Sequence, residues 1–360
     1  MNQMNTEQIN AALKAAIITK AQAEAMHKAN DAAAKSIPET TDSPQSRQNA
    51  VIGNEDNMRF VRSFSDVFIA IGIGLFALGL WGLGGIFGGG LNFLISAAVM
   101  ALMAAYFGKK KRQHLPTLIT ALAFLLFTHK GLGALLGGGG VISAAITLVA
   151  MLGYYAFIRL PFCIALIAIS LIFLFFALAE QFMPGLLAGN RSWFFVIAGL
   201  STLTAAISYD MRDLHRTTRF ADNAFWLHFT AAPLIVHGLA FKAAVAKTEL
   251  KFGLVPVPDV SSADALFLLI IVGLLGLLAL ALNRRALLVS SLGYAAFAIV
   301  FLFSSGGVGF GASIVFALLL IGAAVIFLGA GWHGARNQLI KVLPKWRIFP
   351  PAYIENYTPQ

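Results

Sequence analysis

The sequence predicts an all-α fold: a polytopic membrane helix bundle of about ten transmembrane helices with both termini cytoplasmic. Three observations carry this. Of the 360 residues, 58% are hydrophobic and only 12% are charged. Soluble domains average about 45–50% apolar and about 25% charged. The mean hydropathy is +0.79, the bias of a chain solvated mostly by lipid and the opposite of a disordered one. From Phe64 onward, apolar runs follow one another at lengths near the roughly 20 residues that a helix needs to cross the hydrocarbon core.

Residues 1–35 read as a cytoplasmic helical pair. Asn5 is placed to cap the first helix, with Ile9, Leu13 and Ala16 along one face. Thr19 to Gln22 has the spacing of a capping box, in which a hydroxyl and an amide satisfy free backbone donors reciprocally. The pair is too poor in large apolar residues for a core of its own, which makes it a docking element for a cytoplasmic protein partner or for the rest of the chain. Residues 36–58 are rich in Pro, Ser, Asn and Asp and read as a flexible linker. The first 58 residues lack the apolar core and small-residue cleavage site of a signal peptide, so insertion is expected through the first span.

The transmembrane domain, 59–331, is expected to hold spans near 66–86, 91–107, 115–136, 141–158, 160–179, 193–209, 225–241, 265–282, 286–304 and 310–331. The seventh is the most polar, with two histidines and a proline. Loop charges test the count. One set of alternate loops holds Arg59, Arg62, Lys109, Lys110, Lys111, Arg112, Arg159, Arg212, Arg216, Arg219, Arg284, Arg285, Arg336, Lys341, Lys345 and Arg347. The other set holds Lys130, Arg191, Lys242, Lys247 and Lys251. Positive residues near span ends resist translocation, so this asymmetry of sixteen to five puts the first set and both termini inside. The opposite turns are glycine-rich: Gly88 to Gly90, Gly137 to Gly140, and Gly306 to Gly311. The inside starts His114-Leu115-Pro116 and Arg159-Leu160-Pro161 resemble each other, as in a repeated helical hairpin. Residues 332–360, with several aromatics among basic side chains, suit a cytoplasmic interfacial tail.

Composition also excludes. A net charge of +10 is accounted for by cytoplasmic loops, and no basic run interleaved with aromatics points to nucleic acid. A single cysteine, Cys163, forms no intrachain disulfide. There is no GxxxxGK[ST], HExxH or GxSxG, and the glycine strings lie in span turns, so no cofactor and no metal is expected. The expected partners are the lipid bilayer, a cytoplasmic protein through residues 1–35, and further copies in a homo-oligomer.

Ionisable groups concentrate in one stretch, Tyr209 to His237, between the sixth and seventh spans. The candidate functional residues are Asp210, Arg212, Asp213, His215, Arg216, Arg219, Asp222, Trp226, His228 and His237. On a single helix, His215, Arg219, Asp222, Trp226, Pro233 and His237 share a face, Asp222 pairs with Arg219 one turn away, and His228 points roughly opposite to His237. Arginines suit bidentate capture of an anion, and histidines at membrane depth suit proton relay. Intramembrane ionisable groups are expensive enough to mark function; the alternative is a salt-bridged loop that fixes topology. Elsewhere, Asp66 is spaced to pair with Arg62, Lys130 beside His129 is placed to snorkel, and the triple lysine with Arg112 is a topology determinant that also attracts anionic lipid.

The Asp213–His237 stretch, DLHRTTRFADNAFWLHFTAAPLIVH, together with Ile18–Met26 (ITKAQAEAM), the Gly329–His333 ending GAGWH, and Pro344 and Pro350-Pro351 after it, resembles a family of bacterial polytopic inner-membrane proteins with no assigned activity. The resemblance implies an inner-membrane location and brings no chemistry. Three functions follow from the residues: transport of a small or anionic solute, proton-linked; a sensor or scaffold that recruits a partner through its N-terminal helices; or a membrane-embedded enzyme on a lipid or anionic substrate, with Arg212, Arg216 and Arg219 on the head group and His215 or His228 as base beside Asp213 or Asp222.

Overall fold

The computed structural model describes residues 14–15, 19–24, 64–138, 140–213, 216, 218–244, 248–251, 255–258 and 261–344. They fall into two units, divided between residues 53 and 54. In the first, the expected capping box is present. The Thr19 backbone N–H donates to Gln22 Oε1 at 2.9 Å, and the Gln22 N–H returns to Thr19 Oγ1 at 3.4 Å. It starts a helical turn over residues 20–24. Asn5, Ile9, Leu13 and Ala16 lie outside the described residues.

The second unit holds ten long helices among its described residues. They are α1 (Phe64–Phe87), α2 (Gly90–Ala104), α3 (His114–Leu135), α4 (Val141–Ile158), α5 (Cys163–Phe182), α6 (Leu186–Arg212), α7 (Arg219–Ala244), α8 (Ser262–Leu282), α9 (Arg285–Ser305) and α10 (Phe310–Val342). A π-helical turn, Ala105–Lys110, prolongs α2. Between α7 and α8, β1 (Thr248–Lys251) and β2 (Val255–Pro258) pair antiparallel, a hairpin that the all-α reading did not contain. Nine of the helices are long and apolar enough to cross a membrane among the described residues; α7, which carries most of the polar cluster, is not in that set. Outward faces present large apolar side chains, such as Ile86 at 78% and Phe327 at 74% exposure. Water does not tolerate contiguous surfaces of this kind, and lipid does. The chain is a multi-pass membrane protein.

Helices dominate because hydrocarbon leaves backbone polar groups only intrachain partners. The same constraint governs buried hydroxyls. Ser96, Thr147, Ser170 and Thr202 each donate to the carbonyl four residues earlier, at 2.7–2.9 Å. Buried apolar residues gather in two regions. The first lies among α1–α5, around Met100, Leu125, Phe127, Met151 and Cys163. The second lies among α6–α10, around Ala231, Val236, Leu280, Leu287 and Trp332. Trp226 of α7 reaches the first region, its ring 6.0 Å from that of Phe162.

The ends of the bundle differ. Ser262 at the start of α8 lies 3.3 Å from Ser305 at the end of α9, and Asp66 at the start of α1 bonds Gln113 just before α3. Such pairs fix an up-and-down course. At one end the turns use glycine for left-handed backbone, as at Gly89 (φ 84°) and Gly307 (φ 90°). At the other, the left-handed residues are Arg112, Arg159, Arg216 and Asn283, one in each turn. That backbone is uncommon for residues with a Cβ, so these turns keep a polar or charged side chain against local preference.

α6 and α7 share the most extensive helix–helix contact. Two glycines permit it. A Cβ on Gly238 would stand 2.7 Å from the Ser192 carbonyl oxygen and 2.8 Å from the Val196 nitrogen, and one on Gly199 would stand 2.8 Å from the Ile235 nitrogen. Without a hydrophobic drive between helices in lipid, such close backbone approach is what holds them together. Gly238→Ala is therefore expected to lower stability by about 1–3 kcal/mol through overpacking. Gly322→Ala, where a Cβ meets nothing within 4 Å, is expected to leave it unchanged; thermal unfolding in detergent compares the two.

Candidate functional site

The Tyr209–His237 segment is not one helix. α6 stops at Arg212 and α7 starts at Arg219. Asp213 organises the break: it is buried, and its Oδ2 accepts from the Thr218 N–H at 2.8 Å and the Thr218 hydroxyl at 2.6 Å. Thr218 Oγ1 in turn accepts from the Phe220 N–H at 3.2 Å, as an N-cap does. His215 therefore precedes α7 and does not share its face; its own surroundings lie outside the described residues.

Arg216 sits in this turn in left-handed backbone, φ 54°. Its Nη1 donates to the Asn283 carbonyl at 2.8 Å and its Nη2 to the Leu282 carbonyl at 3.0 Å. A cation here suits the free carbonyls and the dipole at the end of α8. Asn283 caps α8 in left-handed backbone, and its Oδ1 accepts from Trp332 Nε1 at 2.9 Å. Arg285 stacks over the Trp332 ring, 5.2 Å from its centroid. Trp332 and Arg336 are both 2% exposed, and α10 runs unbroken past residue 331 to Val342. The start of the expected interfacial tail is thus a buried helical end, because the indole finds an apolar bed and a hydrogen-bond acceptor together.

This scaffold aims Arg284 at Asp210. The guanidinium Nε donates to Oδ1 at 3.0 Å and to Oδ2 at 3.2 Å, and Nη2 also bonds Oδ1. His228 Nε2 lies 2.7 Å from Asp210 Oδ2. Arg284 is 1% and His228 0% exposed; the Asp210 side chain retains 14%. An ionised carboxylate only accepts, so the 2.7 Å contact places a proton on His228 Nε2. The other ring nitrogen, Nδ1, is buried and has no hydrogen-bond partner among the described residues. In the neutral ring it is an open proton acceptor. One partly exposed anion is thus held by one buried cation and one buried titratable donor, drawn from α6, α7 and the α8–α9 turn.

The remaining candidates separate. Asp222 is half-buried and lies in the electrostatic field of Arg284 and Arg219, with Asp213 opposing. Arg212 and Arg219 are exposed. Trp226 packs against Phe162, Phe225 and Phe229. His237, nine residues beyond His228, meets the Phe195 ring at 4.9 Å, and its Nδ1 lies 3.4 Å from the Tyr294 hydroxyl. Asp66 is buried and accepts from Gln113 Nε2 at 2.8 Å; Arg62, its expected partner, is outside the described residues. His129 stacks on Phe173 at 4.3 Å, and Lys130 is exposed. Among the described residues, no group of three or more His, Cys, Asp and Glu side chains converges as a metal site.

Of the candidates, Asp210 and His228 come together. Arg284 completes the site but reads in the sequence as one of two topology-setting arginines. Its only local signal is the Leu282-Asn-Arg-Arg285 junction, where an apolar run ends abruptly on a residue suited to left-handed backbone. Removing Asp210 would take away the carboxylate that the buried Arg284 guanidinium meets through Nε and Nη2. Asp210→Ala is thus expected to destabilise by about 3–5 kcal/mol, and Arg284→Met combined with Asp210→Leu by much less; a double-mutant cycle followed by thermal unfolding checks this. Comparison with protein-family models, curated proteins and solved structures finds no match.

Proposed function

We propose that the chain is a proton-linked transporter of a small, anionic solute in a bacterial inner membrane, crossing ten times with both termini in the cytoplasm. The observation that carries this reading is the Asp210–His228–Arg284 triad, in which His228 and Arg284 are buried and His228 Nδ1 has no hydrogen-bond partner among the described residues. Ionisable groups within a bundle are retained against their desolvation penalty where they move charge. α7 also bridges the two helical regions, since Trp226 packs on the α1–α5 side while Ala231, Ala232, Ile235 and Val236 lie in the α6–α10 core. Five helices on either side suit the two-part construction that alternating access uses. The asymmetry between arginine-bearing and glycine-bearing turns supports the orientation.

The mechanism follows from charge balance. With His228 neutral, Asp210 and Arg284 neutralise each other. A proton taken up at Nδ1 makes the site net positive. An anionic solute then compensates better than Asp210 alone, using the Arg284 fork that a carboxylate already occupies. Release of the solute returns the proton.

Two measurements test the reading. In proteoliposomes loaded with a pH-sensitive dye, a panel of small organic anions is expected to include one that drives proton movement. His228→Ala is expected to lower that flux by about a hundredfold or more, the usual scale of lost general acid–base transfer, while His237→Ala retains most of it. Equal flux in wild type and His228→Ala overturns the proposal. Reporter fusions at both termini are expected to score on the same, cytoplasmic side.

A further inference from the structure

The arginine-bearing end carries a further cluster of cations, on turns other than those that build the triad. The geometry points to a binding shelf for the head group of an anionic phospholipid, built by the α2–α3 and α4–α5 turns. The π-helical turn Ala105–Lys110 brings the end of α2 against α3 and α4. Gly108 allows this approach, since a Cβ there would stand 2.9 Å from Thr117 Cγ2 and 3.4 Å from Ile158 Cδ1. Such turns within α-helices recur at functional sites.

Cations converge on the seam so formed. Lys109 Nζ stands 3.4 Å over the centre of the Phe157 ring, which ties the α2 end to the α4 end. Lys110 and Lys111 lie 5.7 and 5.9 Å from the Tyr106 ring. Arg159, two residues beyond Phe157, is held in left-handed backbone at φ 57°, with Nε on the Ala156 carbonyl at 3.3 Å. All are exposed, and none has an acidic partner among the described residues. Between residues 64 and 186 the acids are Asp66 and Glu180. Asp66 is buried and bonded to Gln113, and Glu180 lies near the far end of α5.

A phosphate is the natural counter-charge for such a cluster. What favours a lipid phosphate over a free one is the surface adjoining it. Leu102, Leu152 and Phe157, at 71%, 46% and 49% exposure, lie along the same helix ends. They offer acyl chains an apolar path directly below the cations. Aromatic rings beneath lysines are the arrangement of a membrane interface, where a charged head and an apolar stem meet different media.

The test uses the full chain in vesicles of phosphatidylethanolamine with phosphatidylglycerol, extracted gently, with retained lipid counted by native mass spectrometry. Phosphatidylglycerol is expected above its bulk share. Lys109→Gln, Lys111→Gln and Arg159→Gln together are expected to lower that retention about tenfold and to leave phosphatidylethanolamine unchanged. Labelling of a cysteine placed in a glycine-end turn reports correct insertion, and Arg159→Gln alone, with a smaller loss expected, serves if the triple variant does not insert. Unchanged phosphatidylglycerol retention in a correctly inserted variant overturns the proposal. So does its displacement by inorganic phosphate, which would mark a site for a free anion.

Discussion

The pairing of Asp210 with Arg284 is the constraint on which the arginine-bearing end of the bundle depends. A lone charge away from water is too expensive to retain, and a pair persists only when geometry and further hydrogen bonds compensate its desolvation. Here the guanidinium meets both carboxylate oxygens and His228 adds a third donor. To hold that geometry, three chain segments far apart in sequence must end at one level. Arg216 closes the end of α8, Asn283 turns the chain, and Trp332 anchors the turn from α10. Each of these interactions is ordinary helix-end chemistry. Together they make the ion pair and the helix ends interdependent.

Packing supplies the rigidity that this site requires. α6 carries Asp210 and α7 carries His228, and these two helices share the most extensive contact, with close backbone approach across Gly199 and Gly238. Dispersion contacts between backbones replace the missing hydrophobic drive. Pro233 lies within α7 between His228 and Gly238. It removes one backbone donor, so the tight glycine crossing and the polar end are separated by a point of lower helix stiffness.

The two ends of the molecule solve one problem differently. Most of the helices reverse within a few residues, and left-handed backbone is a common way to do so. Glycine serves at one end at no steric penalty. At the other, arginine and asparagine take the same backbone and contribute side chains that cap carbonyls or carry charge. The requirement for positive charge on one face outweighs the conformational preference of the turn, which is the energetic order that the charge asymmetry between loops implies.

Much of this was legible residue by residue. Each of the ten apolar runs falls on a long helix, the span at 141–158 matching at both ends, but α6, α7 and α10 run 6–11 residues past an expected end, and nine of the ten are long and apolar enough to cross a membrane among the described residues. The Thr19–Gln22 capping box was read from its spacing alone. These are local matters: hydrocarbon demands self-satisfied backbone, and run length measures a helix. The polar cluster was legible as a region, with Asp210 and His228 among its ten candidates. Its internal division was not, because the break at 213–218 depends on Asp213 folding back on Thr218. Nor was the choice among its members, because Arg284 lies 74 residues from Asp210 and Trp332 a further 48 beyond it. Which buried charge meets which is decided by how helices stack, through side-chain volume and backbone approach at the crossings. A one-dimensional pattern of charge and hydropathy states that a partner is required; only the packed bundle selects it.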